Sequence, residues 1–299
     1  MAETVATYTI PEHHVIMFTS NVRAALNRKG GVLRPMVTTA SYSGEKVQVV
    51  NFLGPISFVK RDTRYVDTIV TEPEHTQRWL SGDEYDAAVY IDKLDTLKMI
   101  YDPANPYAER MREGAARRED DIIMNAFFAP ARAGKQGLTA VPFPSSQIIV
   151  NGGTRMSVAK LRAARKLLKK SYVDLGAEMP MIAMTPEQTD DLLAETTVGS
   201  HDYNAVKPLV DGEVTSFMGF RFASILDIIP SYVNGSSQLI RQCPCWVQSG
   251  MHYGSWEELN VRISDRPDKN YIKQIWMSFT GGATRLEEPK VVQIECLEA

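Results

Sequence analysis

Between Asp102 and Phe128 the chain carries one unbroken helical pattern, and no other stretch constrains the fold as strongly. Asp102-Pro103 is a start signal. An Asp N-cap accepts a backbone N–H, and proline at the first helical position loses nothing by lacking one. Ala108, Met111, Ala115, Ile122 and Ala126 then recur at three-, four- and seven-residue steps on one face, while Arg110, Arg112, Glu113, Arg117 and Asp120 lie mostly elsewhere. At 1.5 Å per residue such a helix is about 38 Å long. It is a domain's backbone, and the rest of the chain has to be arranged along it.

The segments before it read as an arm and then sheet. From Met1 to about Tyr42 the pattern is weak, with one short amphipathic stretch at Val15–Leu26 and Gly30-Gly31 and Pro35 as punctuation. After Gly44, Val47, Val49 and Phe52 alternate with Lys46, Gln48 and Asn51; Gly54-Pro55 interrupts, and Ile56, Phe58 and Val59 resume the run. This predicts a long hairpin. Lys60, Arg61, Asp62, Arg64 and Asp67 follow, so at least one side of that ribbon is solvated. A second strand region runs from His75 to Asp92, with Trp79, Tyr85, Ala87, Val89 and Ile91 alternating with polar neighbours.

Beyond the long helix, Ala129 to Gly153 reads as a loop with a short strand at Ile148–Val150. Ser157 is the predicted N-cap of a second helix, whose apolar stripe is Val158, Leu161, Leu168 and Tyr172 and whose other faces carry Lys160, Arg162, Arg165, Lys166, Lys169 and Lys170. Met181–Met184 reads as a short buried strand. Thr185-Pro186-Glu187-Gln188 is a capping box that opens a helix through Leu193. A strand at Phe217–Phe222 near Gly212 and Gly219, a loop at Asn234–Ser237, and a helix or irregular stretch near Trp256 come next. Two closing runs, Tyr271–Phe279 and Val291–Cys296, read as sheet joined by Gly281-Gly282. The class is α+β, without repeats or low-complexity tracts.

Composition narrows the function. A chain of 299 residues, 44% hydrophobic, buries a real core across one or two domains. Lys+Arg 33 against Asp+Glu 36 leaves a net charge of -3, so nucleic acid or an anionic membrane is met locally or not at all. No run reaches the roughly 18 uncharged apolar residues of a bilayer span, and no leader pattern precedes Phe18, so a soluble protein made in the cytoplasm is expected. Three cysteines suit a reducing compartment.

Motifs for catalysis are missing. Cys243-Pro-Cys245 has the wrong spacing for a zinc knuckle and lacks a second ligand pair, so it reads, with Cys296, as small buried hydrophobes. Adjacent His13 and His14 point apart. Gly152-Gly153-Thr154-Arg155 lacks the P-loop lysine and glycine spacing and reads as a hinge. Gly-x-Ser-x-Gly does not occur, and Ser249-Gly250 with His252, or Ser200-His201-Asp202, supplies residue types without the elbow. No cofactor, metal or enzymatic activity is expected. The helix bearing Lys160, Arg162, Lys166, Lys169 and Lys170 is a candidate for non-specific contact with a phosphate backbone.

The order of these parts resembles a known family. Gly82-Asp83-Glu84-Tyr85-Asp86-Ala87-Ala88-Val89-Tyr90-Ile91-Asp92-Lys93-Leu94-Asp95, then Asp102-Pro103 and Ala116-Arg117-Arg118-Glu119-Asp120, is similar to the strand and spine helix of major capsid proteins of tailed double-stranded DNA bacteriophages, whose fold is named after phage Hong Kong 97. Asp265-Arg266-Pro267-Asp268-Lys269, Gly281-Gly282-Ala283-Thr284-Arg285 and Val291-Val292-Gln293-Ile294 resemble the family's final strands, and Phe217-Met218-Gly219-Phe220-Arg221-Phe222 its recurrent Phe-x-Gly strand. Collinearity over nearly the whole chain carries the likeness.

The resemblance implies an N-terminal arm at 1–43, an extended loop at 44–75, a peripheral domain at 76–155 and 271–299, and an axial domain at 156–270. It implies a non-enzymatic shell protein of the virion, self-assembling into pentamers and hexamers around double-stranded DNA. Lys46, Lys60, Arg61, Asp62, Arg64 and Asp67 of the loop would contact neighbouring subunits. Further implied partners are a separate scaffolding protein, since no charged N-terminal extension of the cleaved kind is evident, together with a portal and a cement protein. No membrane is implied. The alternatives are the related shell of a bacterial nanocompartment, and a soluble hydrolase or binding domain using His201, His252 or the cysteines with the charged hairpin as a flap.

Overall fold

The long pattern folds as one helix, α1 (Ala104–Phe128). The computed structural model describes residues 30–60, 67, 70–91, 104–195, 216–224, 228–235 and 237–298. The start signal Asp102-Pro103, the amphipathic stretch at 15–26, and the histidines at 13, 14 and 201 lie outside them. Near the start of α1, Ala108 and Met111 pack on a small cluster of Ile91, Ile275 and Met277. Near its end the inward stripe is Asp120, Ile123, Met124 and Phe127, and Ile122 is only half-buried. Asp120, expected on the polar side, is fully buried. The reason is a partner that periodicity does not register: backbone N–H groups of the arm, described below.

Strands are numbered in chain order. The first sheet has the order β1 (Thr38–Ser41), β13 (Met251–Arg266), β14 (Ile272–Arg285), β4 (Asp83–Ile91). β13 and β14 form a long antiparallel hairpin whose turn contains Pro267–Lys269. The second sheet runs β7 (Ile148–Ile149), β15 (Val291–Glu298), β12 (Leu239–Trp246), β8 (Met181–Met184), β10 (Phe220–Ser224), β9 (Ser216–Phe217), with β11 (Ser231–Val233) also on β12. The third is β2 (Lys46–Leu53), β3 (His75–Ser81), β5 (Ala131–Ala133), β6 (Thr139–Val141). Helices α2 (Val158–Lys170) and α3 (Pro186–Ala194) lie on the second sheet. The main core joins their buried faces to the end of α1: Phe127 stacks on Trp246 with ring centroids 4.6 Å apart, and Leu161, Ala164, Leu168, Ile182, Cys243, Cys245 and Val292 close around them.

Several expectations are corrected. Residues near Trp256 are neither helix nor irregular. They belong to β13, and two register irregularities between Ser255 and Asn260 blur the alternation there. Gly281-Gly282 does not join the closing strands but sits inside β14. A Cβ on Gly282 would stand 2.3 Å from the Ser81 carbonyl oxygen and one on Gly281 2.4 Å from the Tyr253 hydroxyl, so these glycines permit close packing, not a turn. Ile56, Phe58 and Val59 do not resume the first strand; the partner of β2 is β3. The stretch read as a loop from Ala129 contains the small hairpin β5–β6. Phe217–Phe222 is two strands around Met218 and Gly219, whose φ values of 52° and 77° match the primed turns that suit tight hairpins. Ser157 makes no side-chain cap; the Glu195 carboxylate accepts from Val158 N at 2.6 Å instead. Tyr172, placed on the apolar stripe, is 97% exposed, just past the end of α2. The capping box at Thr185 forms, with Gln188 Oε1 accepting from Thr185 N at 3.0 Å.

Candidate interaction surfaces

The ribbon of β2 and β3 is anchored at its base, and beyond its neck the described residues are exposed. Arg78 of β3 is buried; its Nε donates to Leu286 O at 2.8 Å and its Nη2 to Glu288 Oε2 at 2.6 Å. Trp79 Nε1 donates to Gly134 O at 2.7 Å. Glu288 lies 3.9 Å from Arg285, which is itself fully buried and donates to Phe127 O (2.6 Å), Ala129 O (3.1 Å) and Val141 O (3.4 Å). One arginine therefore satisfies carbonyls that the end of α1 leaves unpaired, and a shared carboxylate links it to the ribbon. At the far end, Gly54 N bonds Glu74 O at 2.7 Å and closes the neck. Past this neck Phe58 is 99% and Val70 80% exposed, with Ile56 and Val59 also in the open, and Leu53 just before it is exposed too. Of the charged residues proposed for contact, Lys46, Lys60 and Asp67 are exposed, while 61, 62 and 64 lie outside the described residues.

The arm crosses α1 in a tight, polar path. A Cβ on Gly30 would stand 2.3 Å from Arg117 N, so only glycine passes there. Val32 N and Leu33 N donate to the Asp120 carboxylate at 3.3 and 2.9 Å, which accounts for the burial of that charge. Arg34 spans Glu119 (3.2 Å) on α1 and Glu258 (2.8 Å) on β13, and the Tyr253 hydroxyl donates to Glu119 at 3.3 Å. Burial raises the Glu119 carboxyl above its ordinary range, opposed by Arg34 and Tyr253. The arm then enters the first sheet as β1, parallel to β13. None of these roles was legible in the sequence: a lone Arg34 in a weakly patterned arm carries no periodic signal, and its partners are 85 and 224 residues away.

On α2 the cations divide. Lys160 turns inward, donating from Nζ to Thr154 O (2.7 Å) and Glu295 O (2.8 Å), and burial lowers its pKa. It is therefore absent from the basic face on which the sequence placed it. Arg162, Lys166, Lys169 and Lys170 are exposed and, with Arg165 and Met218, line a groove of about 520 Å³.

The residues weighed for catalysis do not converge. His252 is buried between Thr38 Oγ1 (2.8 Å) and the Tyr42 hydroxyl (2.9 Å), where it ties β1 to β13. Ser249 Oγ donates to Glu178 at 2.7 Å, not to a histidine. Cys243, Cys245 and Cys296 are fully buried; burial raises the Cys245 thiol well above its ordinary value, and the neighbouring Cys296 and burial raise Cys243, away from a reactive thiolate. Among the described residues no group of three or more His, Cys, Asp or Glu could hold a metal, and no helix is long and apolar enough to cross a membrane.

Solved structures similar to this fold are phage shells. The capsid of cyanophage P-SCSP1u matches with a TM-score of 0.71 at 15% identity, over 94% of this chain and 92% of that one. The capsid of cyanophage Pam1 gives 0.71 at 12%, over 98% and 99%. The head of Helicobacter pylori bacteriophage KHP40 gives 0.71 at 9%, over 99% of both. A search of curated proteins finds no match. The expected fold stands, and the nanocompartment and hydrolase alternatives gain no support. The family model described as phage capsid protein matches residues 10–298, and the chain belongs to that family.

Proposed function

We propose that copies of this chain join into a phage head shell through two surfaces that each lends to its neighbours, the ribbon of β2 and β3 and the part of the arm that precedes residue 30. The protein is a structural component of the virion capsid, without enzymatic activity, and it self-associates. The observation that carries the ribbon's role is the exposure of Phe58 and Val70 beyond a base held by Arg78 and Trp79. Beyond its pairing with β5 the ribbon has only β2 and β3, and a two-stranded stretch is marginal alone; apolar side chains left exposed there are available for association. The charges at 46, 60, 61, 62, 64 and 67 set register between subunits, since charge complementarity contributes more to specificity than to affinity.

In this reading heterologous contacts close rings of five and six around double-stranded DNA. A scaffolding protein, a portal and a cement protein are its expected partners. The division into arm, extended loop, peripheral domain and axial domain belongs to the same reading, which has to accommodate the pairing of β15 with β12 in the second sheet and of β13 with β14 in the first.

The test joins Gly54 to Glu74 directly, across the neck their backbone bond already closes, and so removes residues 55–73. The expected product is folded and soluble, with no shells by sedimentation velocity and negative-stain microscopy. Shells at the wild-type yield would overturn the ribbon's role.

A further inference from the structure

We infer that the basic groove beside α2 is a socket for the acidic edge of a neighbouring copy of the same chain, linking second sheets head to tail within a ring. This rests on the shell reading and adds a contact that neither the ribbon nor the arm supplies.

The socket is built. Arg162, Arg165, Lys166, Lys169 and Lys170 line it with Met218 and no carboxylate. These cations are spaced three and four apart along α2, so like charges crowd one side of the helix and destabilise it until an anion arrives. Its far wall is the β9–β10 turn, held by Arg165 Nη1 donating to Met218 O. A Cβ on Gly219 would come within 2.7 Å of that same nitrogen, so the wall sits hard against the arginine.

The counterpart lies on the same chain. Glu187, Asp190 and Asp191 of α3 and Glu298 at the end of β15 line a second concavity of about 280 Å³ with Arg155 and Pro186. Arg155 pairs with Asp191 at 3.2 Å and Arg241 with Glu298 at 2.6 Å, two cations for four carboxylates. The Glu187 carboxyl is held above its ordinary range by Glu298 beside it, a sign of surplus negative charge. The two surfaces are built from different elements, the acidic one from α3 and the end of β15, the groove from α2 and the β9–β10 turn. Two complementary, non-identical surfaces on one subunit make a head-to-tail contact, and head-to-tail contacts close into rings.

The experiment uses the full chain under conditions in which the wild type forms shells. Lys166→Glu with Lys169→Glu, and separately Glu187→Lys with Asp190→Lys, are each expected to raise the concentration for half-assembly by about tenfold or more at low salt, while each subunit still melts cooperatively as a folded chain. The chain carrying all four substitutions is expected to recover towards wild type. Unaltered assembly in both double variants, or no recovery in a natively melting quadruple variant, would overturn the inference. So would a groove variant whose shells form normally but retain less DNA, which would make the groove a DNA contact. Should a reversal fail to fold, Lys166→Gln with Lys169→Gln is read in the same way, with a smaller shift. A wild-type chain that stays monomeric throughout would remove the shell reading itself, whereas assembling wild type beside unaffected variants removes this inference alone.

Discussion

Arg285 shows how one side chain decides a junction. It is fully buried, yet its Nη1 and Nη2 donate to three carbonyls, of Phe127 and Ala129 at the end of α1 and of Val141 in β6, and the guanidinium lies 5.1 Å from the Phe143 ring centroid. Arg285→Met keeps apolar bulk but strands those carbonyls, and a loss of about 3 kcal/mol is expected. Urea unfolding of the unassembled chain measures it, and a loss under about 1 kcal/mol would mean that water replaces the arginine. His252 supplies a pH dependence. Thr38 Oγ1 already donates to Met251 O at 2.7 Å, so it accepts from His252 Nδ1–H, and the Tyr42 hydroxyl donates to Nε2. Burial lowers the imidazole pKa below its ordinary 6.5, so the folded state binds fewer protons than the unfolded one. Stability from this group is complete above about pH 6.5 and is lost as pH falls from there towards the folded value. His252→Gln is expected to flatten the melting profile between about pH 7.5 and pH 5; a profile parallel to wild type would clear His252 of the effect.

The elements differ in how far their sequences reach. Helix α1 and the capping box of α3 are local, and both formed where the spacing placed them. The pair Gly281-Gly282 was misread because a glycine that admits a neighbour looks, in sequence, like a glycine that turns the chain. Gly282→Ala tests the distinction. Its added methyl meets the Ser81 backbone at 2.3 Å, which cannot rotate away, so β14 and β3 must separate. A loss of about 1–3 kcal/mol is expected in thermal unfolding of the unassembled chain; a neutral effect would show that the strands have slack. Helix α2 was read correctly as amphipathic but not in detail, since Lys160 belongs to the core and Tyr172 to the surface. A buried ammonium needs two carbonyls that arrive from outside the helix, and periodicity does not contain them.

For the whole molecule, folding and assembly should separate. Phe58 and Val70 are almost entirely exposed, so Phe58→Ser with Val70→Ser removes little from the monomer core. The expected result is an unchanged melting temperature and a higher concentration for shell formation, read by sedimentation velocity against wild type. Shells at the wild-type threshold would show that the tip contributes nothing to assembly. The sequence by itself determined the α+β class, the spine helix, the buried strand and capping box at 181–188, and the collinear order that resembles phage shell proteins. These are legible because periodicity and caps act within about ten residues of chain. Only the tertiary structure decided that β1 pairs with β13 more than 200 residues away, that Asp120, Lys160 and Arg285 turn inward, and that the strand from His75 is the partner of β2. The physical reason is common to all three. A strand edge or a charged side chain is indifferent to its place until distant backbone supplies the hydrogen bonds it lacks, and that supply is a property of the closed chain.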